Sequence, residues 1–249
     1  MTALGRRIAE ARLALILLTR LPAGRLADPV PPLASAAWAY PLVGLVVGAI
    51  GWAVQAGALA MGLGEASAAL MALGVMVLAT GGLHLDGLAD LADGLGGGRD
   101  RAHALEIMRD SRIGTYGALA LILAVGLGIA ALTGFEGGAP LAAFLLAGVT
   151  SRLAMTAVLL WLPPARAEGL GQSATGIGPA ALLPGVLLCG ALGVALGPVV
   201  IVALGIAVIA ASLIAWRAWR RLGGQTGDVL GAVQVSAEIA CLLALSVAW

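Results

Sequence analysis

The chain has 249 residues, of which 61% are hydrophobic and only 11% charged. A soluble core of this length does not need so much apolar sequence, and a formal net charge of +1 gives no field that would gather nucleic acid. All 14 basic residues are arginine, whose planar fork suits phosphate better than lysine does.

In chain order, residues 1–30 predict an N-terminal interfacial segment. Arg6, Arg7 and Arg12 precede a short apolar run at 13–18, and Arg20 and Pro22 interrupt it without a clear cleavage site. Leu4, Ile8, Leu15 and Leu18 share one side of this helix. Seven apolar segments follow, at 36–61, 67–83, 114–133, 140–162, 180–196, 199–216 and 229–249. Most are near the roughly 20 residues a helix needs to cross hydrocarbon. The expected fold is all-α: one polytopic integral membrane helix bundle of about seven transmembrane helices over residues 1–249. The two cysteines, Cys189 and Cys241, lie inside these runs and read as small buried residues. The glycine-rich face at 44–51 suits close packing against another helix, in this chain or a second copy.

The loop arginines alternate along the chain. They lie before the first segment, between the second and third, after the fourth and after the sixth, whereas the loops at 62–66, 134–139 and 197–198 have none. By the positive-inside rule the N-terminus is cytoplasmic and the C-terminus is on the far side. The long polar loops at 83–113, 163–179 and 217–228 then share the cytoplasmic face, with an acidic and basic active-site loop at 84–113. A transporter would more often carry its polar groups near the midplane.

The densest polar stretch, GGLHLDGLADLADGLGGGRD at 81–100, contains Asp86, Asp90 and Asp93. Spaced i, i+4, i+7, they fall within roughly 60° of each other on a helix. Such a stripe at a membrane boundary asks for a cation, and oxygen donors open to water suit Mg²⁺ held together with substrate phosphate. The bland alternative is a solvated acidic face. His84 points about 160° away from Asp86 and reads as a packing residue. Next come Glu106, Arg109, Asp110, Ser111 and Arg112, where two guanidiniums beside acids suit a pyrophosphate; a surface ion-pair helix is as good a reading. Arg152 and Glu238 each lie about ten residues inside a span, so they face a polar cavity, a substrate phosphate or each other. Asp228 stands at the mouth of the last span, as Asp86 does at its own.

These residues carry a resemblance. Thr19-Arg20-Leu21-Pro22, Tyr40-Pro41-Leu42-Val43-Gly44, the blocks 81–94 and 106–117, Ser151-Arg152, Glu168-Gly169-Leu170-Gly171 and 223–231 resemble the cobalamin synthase family, adenosylcobinamide-GDP ribazoletransferases, over nearly the whole chain. The resemblance implies the last assembly step of the coenzyme B12 nucleotide loop. The α-ribazole, or its 5′-phosphate, attacks adenosylcobinamide-GDP and GMP leaves. Mg²⁺ is the implied cofactor, and a bacterial cytoplasmic membrane the implied location. Asp86, Asp90 and Asp93 would hold the metal. Arg109 or Arg112 would hold phosphate oxygens, with Ser111, Arg152, Asp228 and Glu238 as further binding candidates. Asp93, Asp110 and Asp228 are the candidates for taking the proton. Partners expected besides the substrates are the lipid bilayer and either a second copy or other nucleotide-loop enzymes.

Three rivals differ in stated features. A CDP-alcohol phosphatidyltransferase would carry Arg where Asp90 stands, and a later Asp-x-x-x-Asp. An intramembrane prenyltransferase would carry two aspartate clusters. A transporter would bind corrinoid without releasing GMP.

Overall fold

The computed structural model describes residues 2–247, and its regular elements are helices. In order they are α1 (Ala3–Leu18), α2 (Leu33–Ala36), α3 (Tyr40–Ala60), α4 (Glu65–Thr80), α5 (Leu83–Gly97), α6 (Arg101–Ile107), α7 (Thr115–Thr133), α8 (Leu141–Trp161), α9 (Leu170–Ser173), α10 (Leu183–Leu196), α11 (Val199–Leu222) and α12 (Gly227–Ser246). Short 3₁₀ turns join α2 to α3 and lead into α10. Met1, and Ala248 and Trp249 at the end of the last expected span, lie outside the described residues.

Six helical stretches among the described residues are long and apolar enough to cross a membrane: Leu33–Ala60, Thr115–Thr133, Leu141–Trp161, Pro179–Leu196, Val199–Leu222 and Gly227–Ser246. The chain is therefore a polytopic membrane helix bundle, as its composition predicts. The segment expected at 67–83 takes a different form. It stops at Thr80, and the chain bends by 90° into α5, so the count is six, or seven if the bent pair is one span. Gly81 and Gly82 make the corner with φ of 64° and 73°, a region that only glycine enters without steric cost.

α8 and α12 are the most enclosed helices, with Arg152, Leu146, Gln234 and Leu242 all buried. α3 packs along α8, and α12 packs on α5, α8 and α11. Glycines set the closest crossings. A Cβ on Gly44 would strike the carbonyl of Gly148, and one on Gly148 would strike that of Gly44. The glycine face at 44–51 is thus spent on α8 within this chain.

The long polar loop expected at 83–113 folds as α5, α6 and a turn. The glycine run at 94–98 continues α5 to Gly97. Gly94 and Gly98 let α6 close in, since a side chain at either would meet Met108 or Ala104. Arginines staple this end together. Arg101 donates to the Leu222 carbonyl at 2.6 Å and the Ala165 carbonyl at 2.7 Å. Arg221 donates to the Gly98 carbonyl at 2.8 Å, and Arg166 to that of Leu105 at 3.3 Å. Two backbone bonds of 2.8 Å tie Ala165 and Pro163 to Gln225. The three polar loops therefore form one platform at one end of the bundle.

α1 lies against this assembly through Glu10, Leu13, Ala14 and Leu18. The Glu10 carboxylate accepts from Trp38 Nε1 and from Arg7, each at 2.9 Å. Leu4 and Ile8 are exposed, as an interfacial face requires, but Leu18 turns into the core rather than joining them.

Candidate active site

A cleft of about 600 Å³ opens on the polar platform. Asp86 and Asp90 form its floor on α5, and Arg109, Asp110, Ser111 and Arg112 form one wall. Arg20 enters from the segment after α1, where its backbone N–H donates to the Ala79 carbonyl at 2.7 Å. Its side chain runs across Gly81, which has no Cβ to block it.

The wall is not the ion-pair helix that its spacing suggested. α6 ends at Ile107, and residues 108–114 form an irregular turn. Arg112 folds back on Asp110, Nη2 donating to Oδ2 at 2.6 Å and Nε to Oδ1 at 3.1 Å. These hydrogen bonds hold the Asp110 carboxyl below its ordinary pKa and raise that of Arg112. Arg109 is exposed, and its guanidinium makes no hydrogen bond or ion pair among the described residues. Arg20 is in the same condition. The cleft therefore offers two uncommitted guanidiniums and a third with donors to spare, all facing two carboxylates.

The carboxylates of Asp86 and Asp90 also lack hydrogen-bond partners among the described residues. Asp90 interacts electrostatically with the like charges of Asp86, Asp228 and Asp93, against one cation, Arg166. Uncommitted oxygen donors beside like charges suit a hard divalent cation. Such an ion takes one or two carboxylates and completes its shell with water and phosphate.

The expected triad is not assembled. Among the described residues no three His, Cys, Asp or Glu side chains converge on a metal position. Asp93 is buried, and its oxygens accept the N–H groups of Gly114 at 2.7 Å and Gly117 at 2.8 Å. It holds down the N-terminus of α7, whose free N–H groups and dipole favour a carboxylate. Helical spacing put Asp93 in the stripe; the approach of α7 took it out.

Arg152 and Glu238 do not reach the cleft. They pair at 2.9 Å in the bundle core, with Ser151 and Gln234 bonded to them. His84 is buried near this pair, its Nε2 without a hydrogen-bond partner among the described residues. Asp228 lines a smaller pocket of about 150 Å³ with Arg166, Glu168, Gln225 and Thr226. Its Oδ2 meets Thr226 Oγ1 at 3.2 Å and Arg166 at 3.6 Å, which leaves Oδ1 unengaged among the described residues. Gly87 allows this arrangement, since a Cβ there would lie 2.9 Å from Asp228 backbone. Asp90 thus interacts with residues of both pockets.

Arg20 and Arg166 are the site residues that spacing missed. Each lies in a loop about sixty or more residues from α5, and only the fold brings it there.

The cobalamin-5-phosphate synthase family matches residues 10–246. The chain belongs to this family. Relatives within it named adenosylcobinamide-GDP ribazoletransferase are 44% identical in Bradyrhizobium diazoefficiens, over 95% of this chain and 92% of the relative. The corresponding figures are 42%, 96% and 95% in Azorhizobium caulinodans, and 46%, 90% and 89% in Xanthobacter autotrophicus. No solved structure matches the chain significantly. The blocks at 81–94 and 106–117 line the cleft, and the block at 223–231 lines the second pocket.

Proposed function

We propose that the protein is an adenosylcobinamide-GDP ribazoletransferase, completing the nucleotide loop of coenzyme B12. The observation that carries the mechanism is the cleft that sets Arg20, Arg109 and Arg112 against Asp86 and Asp90 in a member of this family. A ribose hydroxyl oxygen that is free in both α-ribazole and its 5′-phosphate forms a bond to the phosphorus that carries adenosylcobinamide. The bond from that phosphorus to the bridging oxygen breaks, and GMP leaves with the electron pair.

Phosphoryl transfer asks chiefly for positioning and for neutralisation of charge. Arg109 and Arg20 bind non-bridging oxygens of the pyrophosphate, and Arg112 adds donors from its pair with Asp110. Asp86 and Asp90 hold Mg²⁺, which when bound neutralises charge on the phosphates. Asp228 takes the proton of the attacking hydroxyl on its unengaged Oδ1, and Arg166 orients it. Of the other proton acceptors weighed, Asp93 has both oxygens on backbone N–H groups and Asp110 is committed to Arg112. The alternating arginines support a cytoplasmic N-terminus and a cleft that opens to the cytoplasm of a bacterial inner membrane.

The test is GMP release by the liposome-embedded protein, with adenosylcobinamide-GDP and α-ribazole, with and without Mg²⁺. GMP and a cobalamin product appearing together, only with Mg²⁺, are expected. A folded protein that binds corrinoid and releases no GMP would overturn the reading in favour of transport.

A further inference from the structure

The smaller pocket on the platform offers a different chemistry from the cleft beside it. Its walls are the segment leading into α9 and the loop before α12, and backbone bonds lace the two together. Ala165 N–H donates to the Gln225 carbonyl and Gln225 N–H to that of Pro163, each at 2.8 Å. Gln225 is only 1% exposed; its Nε2 donates to the Gly171 carbonyl at 3.0 Å, and its Oε1 has no hydrogen-bond partner among the described residues. Glu168 and Gln172 line the same pocket and are exposed, and their side chains form no hydrogen bond or ion pair among the described residues. Arg20, Arg109 and Arg112 all line the cleft instead. The guanidinium that lines this pocket, Arg166, has its Nη groups on Asp228 and the Leu105 carbonyl. Against that cation stand two carboxylates, Glu168 and Asp228.

We propose that this pocket holds the ribose of the attacking nucleoside, with Glu168 as the residue that recognises it; the proposal rests on the transferase reading above. Ionised carboxylates only accept hydrogen bonds, so this pair repels a phosphate and suits neighbouring hydroxyls, each of which donates. A hydroxyl oxygen also accepts, and the Gln172 amide supplies a donor. The volume of about 150 Å³ equals about five waters at ~30 Å³ each, which takes one sugar ring but neither a whole nucleoside nor a corrinoid. An attacking hydroxyl that is free in both forms of the acceptor is one of the two on the ring. It donates to Asp228, its neighbour donates to Glu168, and the base and the 5′ carbon extend outside. Asp228 interacts electrostatically with Asp90 of the cleft, so a sugar held on Asp228 lies beside the pyrophosphate.

The test is steady-state GMP release by the full chain in liposomes, with α-ribazole and with an analogue lacking the ring hydroxyl next to the attacking one. In the unaltered protein the KM for the analogue is expected at least about tenfold above that for α-ribazole, as for loss of one hydrogen bond to a charged group. Glu168→Ala should raise the KM for α-ribazole about tenfold, bring the two acceptors within about threefold of each other and leave the KM for adenosylcobinamide-GDP unchanged. A merely structural role for Glu168 would not change the ratio between the acceptors. Equal KM values for the two acceptors in the unaltered protein would overturn the subsite. So would an effect of Glu168→Ala confined to the KM for adenosylcobinamide-GDP, which would assign the pocket to the donor. In both cases GMP release itself persists. No GMP release with either acceptor overturns the transferase reading, and the subsite with it.

Discussion

Asp90 and Asp93 lie three residues apart on α5, yet only Asp93 has its oxygens filled by backbone N–H groups. Their conservative variants should therefore separate. Asp93→Asn puts an amide donor against a buried N–H and should cost about 1–3 kcal/mol of stability, read as a lowered Tm. Asp90→Asn should leave Tm unchanged and lower GMP release by about 10²-fold, as for loss of one charge-stabilising group. Arg152 and Glu238 are also separable from the chemistry. Arg152→Ala strands a carboxylate in the core and should cost about 3–5 kcal/mol, much of it recovered when Glu238→Gln is added. Asp110 carries a pH sign. Its folded pKa is lowered by Arg112, so the pair is intact above the ordinary carboxylate range and is lost only as pH falls through that lowered value. An acid limb above about pH 5 in the GMP-release profile then belongs to another carboxylate. It should persist in Asp110→Asn.

The site depends at the level of elements on how α5 lies across α12. Gly87 rests on the backbone of Asp228, and Gly231 on that of His84, so the two helices touch through glycine on both sides. Gly87→Ala has to push α5 away from Asp228. It should lower Tm and activity together, with a stability cost of about 1–3 kcal/mol. Gly126→Ala on α7 meets nothing within 4 Å and is the matched control, expected to leave both unchanged. The sequence marked this region through its acids and arginines, because charge at a membrane boundary is conspicuous. It did not reveal the 90° corner at Gly81–Gly82, since a run of apolar residues reads alike whether it continues straight or bends. Nor did it reveal that residues 108–114 leave the helix, because their i, i+3 and i, i+4 spacings fit one.

For the whole molecule, the arginine-bearing loops meet at one end through Arg101, Arg166 and Arg221. If they face the cytoplasm, Arg99→Cys should react with a membrane-impermeant maleimide only after the cells are opened. Glu136→Cys should react in intact spheroplasts. The reverse pattern would invert the orientation. Cys189 and Cys241 are buried and give a low background.

The sequence by itself determined that the chain is a membrane bundle, because apolar runs of spanning length admit few other solutions. It also determined the family, because the motif blocks cover nearly the whole chain, and it pointed to Asp86, Asp90, Arg109 and Arg112. The tertiary structure decided which charges are free to act. Asp93 was claimed by the N-terminus of α7, Arg152 by Glu238, and Arg101 by the carbonyls of Leu222 and Ala165, whereas Arg20 and Arg166 were delivered from distant segments. Spacing along one helix states which side chains share a face. Only the packing of other helices against that face states which of them still have an open lone pair or donor.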